Sequence, residues 1–448
     1  MSLSQQPFNR VACAAVLAWG IGSVALADDS PGPEPVQGTA AKAPAEKAAK
    51  EAKTDPATPE GWHRAGLGFR KGKSRIELAG YIQEDFRHYD WTVKGDEGGT
   101  QQAPTDELRR LRVGVKGNLG KVTFEAVWDP RTSQAPDRIK DITLGYDFSK
   151  SARLLFGHFK PAISQEYLTS AGKTDFVDRS MLASNLNPDR EWGAEVFGEP
   201  GRVEYYAGVF AGDGAANTQS AETSVALRFG VKVAKGFLIS SSFMQGNVTA
   251  DPKSGASEPA PKGAHGQTAT GFTFWNRPHV NGTRQRFGGD LSYSKGPFRL
   301  QAEYLQMKEE RKGQGSTGQD IPDVLGRGWN AQVSYVLTGE KKGSTVEPEH
   351  PLFKGGFGAV EILARVEGLK FDDTGDSSGF AGYGNRARNI APSGAKSIVA
   401  GLNYWPSNFV KFQGNALWES YNDPLIAPQP GKTGKYFSLI ARIQLMVP

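Results

Sequence analysis

The stretch ELRRLRVGVKGNLG, residues 107–120, runs directly into KVTFEAVWD, residues 121–129. In the first half Leu111, Val113 and Val115 stand at odd positions, and Arg110, Arg112 and Lys116 at even ones. In the second half Val122, Phe124, Ala126 and Trp128 alternate with Thr123, Glu125 and Asp129. Side chains of a β-strand point alternately to opposite faces, so each half is a strand with one apolar and one charged face. A helix would bring its apolar residues three and four apart, and these segments do not. Between the halves Asn118-Leu119-Gly120 is the size of a hairpin turn. Such a pair suits a wall with lipid on one side and water on the other.

Working outward, the same alternation begins near Ser74 and continues to the end of the chain. Val225, Leu227, Phe229, Val231 and Val233 oppose Ser224, Arg228 and Lys232; Phe287, Leu291 and Tyr293 oppose Arg284, Arg286 and Asp290; Val360, Ile362, Ala364 and Val366 oppose Glu361, Arg365 and Glu367. Strands are expected near 75–88, 106–117, 121–129, 138–148, 152–160, 191–198, 202–211, 222–234, 237–249, 283–294, 298–308, 327–338, 357–370, 396–405, 409–420 and 435–447. Short connections (118–120, 149–151, 199–201, 235–236, 295–297, 406–408) alternate with longer ones (89–105, 161–190, 212–221, 250–282, 309–326, 371–395, 421–434). That rhythm predicts an all-β fold, a transmembrane antiparallel up-and-down barrel of about 16 strands with tight periplasmic turns and larger external loops. One turn breaks the rule: GEKKGSTVEPEHPLFKGG, 339–356, is long where a short turn belongs, and is expected to fold up into the lumen.

In the chain of 448 residues the opening MSLSQQPFNR carries one charge, Arg10, followed by an apolar, small-residue run to Ala27, ending Ala25-Leu26-Ala27 before Asp28. This is the layout of a secretory signal peptide over 1–27, and it is too short and too glycine-rich for a membrane span. The single cysteine, Cys13, lies within it. The exported chain is therefore expected to hold no disulfide, thiol nucleophile or cysteine-bound metal. After the signal no apolar run is long enough for a membrane helix. Residues 28–73 include AAKAPAEKAAKEAKTDPATPE (40–60), whose composition cannot bury enough surface to offset ordering entropy. They are read as a disordered or partly helical periplasmic tether, with the barrel over 74–448.

From about Ser74 onward the sequence resembles the phosphate-selective porin O and P family. The likeness is densest in ELRRLRVGVKGNLG (107–120), DITLGYDFSKSARLLFGHFKPAISQEYLTS (141–170), FVDRSMLASNLNPDREWGAEVFG (176–198) and YYAGVFAGDG (205–214). The resemblance implies a sixteen-stranded homotrimer in the outer membrane of a Gram-negative cell. It also implies a third external loop folded inward as a constriction, and a lumen whose arginines and lysines guide phosphate or polyphosphate. The long periplasmic turn fits it too. The ending RIQLMVP departs from the C-terminal aromatic on which such barrels usually close.

On the polar faces of the strands, the cations assigned inward are Arg110, Arg112, Lys116, Arg228, Lys232, Arg284, Arg286, Arg299, Arg365, Lys411 and Arg442. The acids assigned inward are Glu125, Asp129, Glu204, Asp290, Glu303, Glu361, Glu367 and Glu419. Guanidinium replaces an anion's hydration shell well because its planar fork donates two parallel hydrogen bonds. Arg110 with Arg112, and Arg284 with Arg286, each put two like charges about 7 Å apart on one strand face, which makes them the leading candidates for an anion ladder. Ion pairs across strands are the competing reading. In the constriction loop Lys160, Lys173, Arg179 and Arg190 are candidates, with acidic neighbours Glu166, Asp175, Asp178, Asp189 and Glu191 arguing for self-pairing. Trp91, Trp128, Trp275, Trp329, Trp405, Trp418, Tyr335, Tyr404 and Tyr421 read as interfacial girdles.

Catalysis, metals and cofactors find no motif. The six histidines lack H-E-x-x-H spacing, no G-x-S-x-G or phosphate-cradling loop occurs, and His158 beside Lys160 is read as inward-facing. Expected partners are small anions and outer-membrane lipid, with no nucleic acid. A general diffusion porin and a loop-plugged, non-conducting barrel are the alternatives.

Overall fold

The computed structural model describes residues 61–63, 67–90, 93–94, 100–101, 106–131, 138–212, 222–250, 262–314, 318–373, 392–423, 426–429 and 436–447. The expected signal segment and the tether as far as residue 60 lie outside them, as does Trp91. Sixteen strands form the wall: β1 (Ser74–Tyr89), β2 (Asp106–Leu119), β3 (Val122–Trp128), β4 (Ile139–Ser149), β5 (Ala152–Phe159), β6 (Glu191–Gly198), β7 (Val203–Ala211) and β8 (Thr223–Ala234). They continue with β9 (Phe237–Val248), β10 (Gly282–Lys295), β11 (Phe298–Arg311), β12 (Ile321–Val336), β13 (Ala359–Asp373), β14 (Ser393–Ser407), β15 (Val410–Tyr421) and β16 (Tyr436–Met446). Each pairs antiparallel with its neighbour, and β16 returns to β1, with Ser438 opposite Tyr89 and Met446 opposite Tyr81. Closure leaves no edge, so backbone donors and acceptors of the wall are satisfied within it, as a hydrocarbon surrounding requires.

The pleat sorts the side chains inside out relative to a water-soluble protein. Val113, Leu144, Phe156, Val209, Phe229, Phe287, Ile398 and Leu445 are exposed on the outer surface, while Glu125, Arg228, Asp290, Arg365 and Arg442 are buried inside. Turns are tight where expected. Gly236 closes the β8–β9 turn at φ +76°, where a Cβ would stand 2.1 Å from the Ser294 carbonyl oxygen, so conformation and space both demand glycine.

Several expectations are corrected. Part of the tether is ordered: Gly61–His63 and Gly68–Lys71 make a ribbon that pairs onto the start of β1, in a run too short to display a period. Strand β12 begins at Ile321 rather than 327. Trp128, Trp329, Trp418 and Tyr335 are exposed in the manner of a girdle, but Trp275 and Trp405 are buried. Trp275 stacks on Phe371 at 5.0 Å inside the barrel. Trp405 packs with Val336, Val346 and Ala359. Tyr421 joins the interior aromatic cluster through Phe272 and Tyr436. His158 lies opposite Ile142 and Trp192, both exposed outward, so it is on the outer parity and not the inner one.

Candidate functional site

The long connection from β5 to β6 turns into the barrel. Two short helices shape it, α1 (Gln165–Leu168) and α2 (Met181–Asn185). Each is started by a serine whose hydroxyl accepts a backbone N–H, Ser164 from Tyr167 and Ser180 from Ala183. Its apolar residues Ile163, Met181, Leu182 and Leu186 pack against Phe210, Met244, Leu305, Met307, Val324 and Phe371. Those wall residues point inward, so strands β7 to β13 interrupt the rule of a polar interior wherever the loop leans on them. On the opposite side Phe176 and Val177 meet Leu363, Val399, Leu417 and Ile440.

Polar groups finish the seating. Glu303 accepts from Ser164 Oγ at 2.6 Å and from the Glu166 N–H at 2.5 Å. Glu367 accepts from the Met181 N–H at 2.7 Å, and the Asn415 side chain from the Val177 N–H at 2.8 Å. Loop carbonyls accept in turn: Val177 from Arg442 at 2.6 Å, Asp178 from Arg365 at 2.9 Å, Thr174 from Lys411 at 2.7 Å and Leu186 from Arg286 at 2.6 Å. Burial alone would raise the Asp178 carboxyl. The charges of Arg87, Arg109 and Arg442 outweigh it and hold that group well below the usual carboxylate range.

A second loop, residues 262–281, enters beside the first. Asn185 and Gln267 exchange two hydrogen bonds, Nδ2 to carbonyl at 2.8 Å and N–H to Oδ1 at 3.0 Å. Thr270 donates to Glu419 at 2.8 Å. Burial beside Arg277 pushes His265 of this loop down to about 4. The long periplasmic turn also folds inward: Lys342 is fully buried, 2.5 Å from Asp175 and 2.7 Å from Glu361.

The candidate cations therefore divide. Arg228 grips Asp290 with both terminal nitrogens, at 2.6 and 2.8 Å. Arg442 grips Asp85 at 2.5 and 2.8 Å, and Arg190 grips Asp141 at 2.9 and 2.8 Å. Arg284 pairs with Glu309 at 2.7 Å, Arg365 with Glu367 at 3.3 Å, and Lys232 with Glu199 at 2.7 Å. Lys160 and Arg179 donate to loop carbonyls, of Tyr167 and Thr169 respectively. Arg284 and Arg286 do stand together at the loop-side end, in a cleft shared with Lys262, Arg277, Asp189 and Glu309.

Strand β2 is different. A bulge opposite Gln83 and Glu84 inserts one extra residue, Arg109, between Leu108 and Arg110. Arg109 donates to Glu107 at 3.1 Å and acts on Asp178 of the loop, so it joins the inner face despite its odd number. Arg110 donates to Gln83 at 3.0 Å, and among the charges acting most strongly on it are Arg442, Arg109 and Arg112, all cations. Arg112 lies 3.9 Å from Asp129. With Lys116, Glu125, Tyr81 and the loop residues Gly172 and Lys173, it lines a cleft between the inward loop and the wall of β1–β3. Four cations thus follow one strand, and two of them, Arg112 and Lys116, line that cleft.

Sequence reasoning missed Arg109 because a bulge leaves no mark in a two-residue period. It also missed inward acids: Glu77, Asp85, Asp141, Glu191, Glu195 and Glu309 are buried on the wall, against two further wall cations, Arg87 and Arg311. The positive excess of the polar-face count vanishes for the wall as a whole, and what remains is its placement. In GYIQEDFRHY polar residues occupy both parities, so no alternation could assign Asp85 or Arg87.

A family profile described as phosphate-selective porin O and P matches residues 76–446. An uncharacterized protein of Caulobacter vibrioides is 26% identical over 373 residues, 77% of this chain and 70% of that one. Porin O of Pseudomonas aeruginosa is 27% identical over 156 residues, 29% of this chain and 32% of that protein. Among solved structures, the outer membrane channel DcaP of Acinetobacter baumannii aligns with a TM-score of 0.53 at 11% identity, covering 87% of this chain and 100% of that one. OmpF of Salmonella typhi, solved in complex with daunomycin, gives 0.50 at 12% identity over 85% of this chain and 100% of its own. At these identities the likeness is one of fold.

Proposed function

The chain belongs to the phosphate-selective porin O and P family and is an integral β-barrel of the outer membrane, and from that premise we propose that it passes small hydrophilic solutes by diffusion with a preference for anions, phosphate or polyphosphate among them. The observation that carries the preference is the row Arg109, Arg110, Arg112 and Lys116 along β2, of which Arg112 and Lys116 line a cleft together with Lys173 and Glu125. Guanidinium groups along a low-dielectric lumen attract passing anions and can donate paired hydrogen bonds to them. The other inward cations act mainly as fasteners, tying acids and loop carbonyls together. In this reading selectivity resides in one arc of the lumen. The barrel works as a homotrimer, in keeping with the family and with the trimeric form known for OmpT of Vibrio cholerae.

The test is the reversal potential of single channels across a salt gradient in a planar bilayer, repeated with phosphate as competitor. A potential on the anion side that phosphate shifts supports the proposal; one at zero leaves a general porin. A second reading, a plugged barrel conducting little, is favoured by the number of bonds seating the two inward loops and the turn. Absence of current steps would decide for it.

A further inference from the structure

The constriction loop is held from the wall and from the neighbouring loop, and it is also held from the periplasmic side by a part of the chain that takes no part in the wall. Lys342 rises on the long turn between β12 and β13. Its backbone N–H donates to the Gly296 carbonyl at 2.9 Å, and the turn behind it is anchored by Val346, packed with Val336, Ala359 and Trp405. Its ammonium, fully buried, sits between Asp175 of the loop at 2.5 Å and Glu361 of β13 at 2.7 Å. Asp175 is also tied to β14 and β15: its carbonyl accepts from Asn403 at 2.9 Å and from Gln413 at 2.9 Å.

We propose that Lys342 is a positioning residue of the channel, a strut by which the periplasmic turn fixes the constriction loop against the wall. The strut rests on the reading of the barrel as a channel only for its effect on current. A compact ammonium on a flexible stem can bridge two carboxylates. Without it, Asp175 keeps Arg299 at 3.8 Å and Glu361 keeps the Asn403 amide at 2.9 Å, but the two carboxylates lose the one cation that both touch. The loop then moves away from Glu361, and the bore beside Lys173 changes with it. Through this contact the periplasmic face of the barrel controls a filter that opens outward.

The experiment places a spin label at residue 173, through Lys173→Cys in the full-length, membrane-reconstituted protein, and compares Lys342→Met, Asp175→Asn and the double variant. The expected result is loss of the immobilised spectral component in each single variant, with no more loss in the double than in Asp175→Asn, which gives up Arg299 as well as Lys342. An unchanged spectrum in both single variants, or additive losses in the double, overturns the strut. Should Lys342→Met fail to fold, Glu361→Gln weakens the strut at its wall end while leaving the Arg299–Asp175 pair in place, and an unchanged spectrum there overturns the strut. Single-channel recordings of the same proteins without the label should show larger and noisier open-state currents. A wild-type barrel that passes no current would remove the channel reading, while the spectra still decide the strut.

Discussion

At the scale of single residues, the cations of the lumen differ in what they hold. Arg110 donates to Gln83, and Arg112 lies over the Tyr81 ring and 3.9 Å from Asp129. The double substitution Arg110→Glu, Arg112→Glu changes local charge by four units, against a potential on the order of several kT in a narrow, low-dielectric lumen. Reversal potential should move toward cations while the folded, heat-resistant form persists. If the protein is intact and the potential does not move, β2 is not the filter. Asp178 makes a pH prediction. Its folded pKa lies below the value of about 3.9 for a free aspartate, so its pairing stabilises the seated loop at every pH above that value, and the stabilisation is lost as pH falls below it toward the depressed folded pKa. The loop should resist proteases through the ordinary range and loosen only in strong acid. Arg87 is 3.0 Å from Asp178, and Arg87→Met should therefore shift loosening to higher pH; identical acid profiles for the two proteins would exclude this pairing as the latch.

At the scale of elements, the inward loops are seated by apolar contacts that the wall supplies against its own alternating rule. Phe371 is fully buried, stacks on Trp275 and lies in the cluster shared with Leu182 and Leu186. Phe371→Ala should cost about 3–5 kcal/mol of local packing. The ladder of β13 needs only its backbone, so the loss should fall on loop 262–281 and not on the barrel. Limited proteolysis ought to cut between 262 and 281 in the variant while the electrophoretic shift on heating stays as before. Cleavage unchanged from wild type would mean that the hydrogen bonds of Asn185 and Thr270 suffice to hold the loop. The bulge in β2 teaches a related lesson, since one added residue turns Arg109 from lipid to lumen.

At the scale of the whole molecule, a closed wall with an apolar outside is stable only in a membrane or detergent, and its ladder must break cooperatively. We expect sheet-dominated circular dichroism, fractionation with outer membranes, and an oligomer of three chains on gels until boiled; a boiled and an unboiled sample running alike as monomers would refute the trimer. Strand existence, count and order were legible in the sequence, because a two-residue alternation of lipid-facing and water-facing residues, as in Leu111 to Lys116, is imposed locally by the pleat. The inward turn was legible as well, since residues 339–356 are too long for their place. What the interior does was decided by tertiary structure alone. Arg228 and Asp290 are 62 residues apart, Arg442 and Asp85 are 357 apart, and Lys342 and Asp175 are 167 apart. Such partners meet only when the barrel closes and the loops descend into it. Where it is regular, alternation assigns a charge to a face, but the bulge at Arg109, and above all the pairing of charges, depend on which distant strand or loop arrives within about 3 Å.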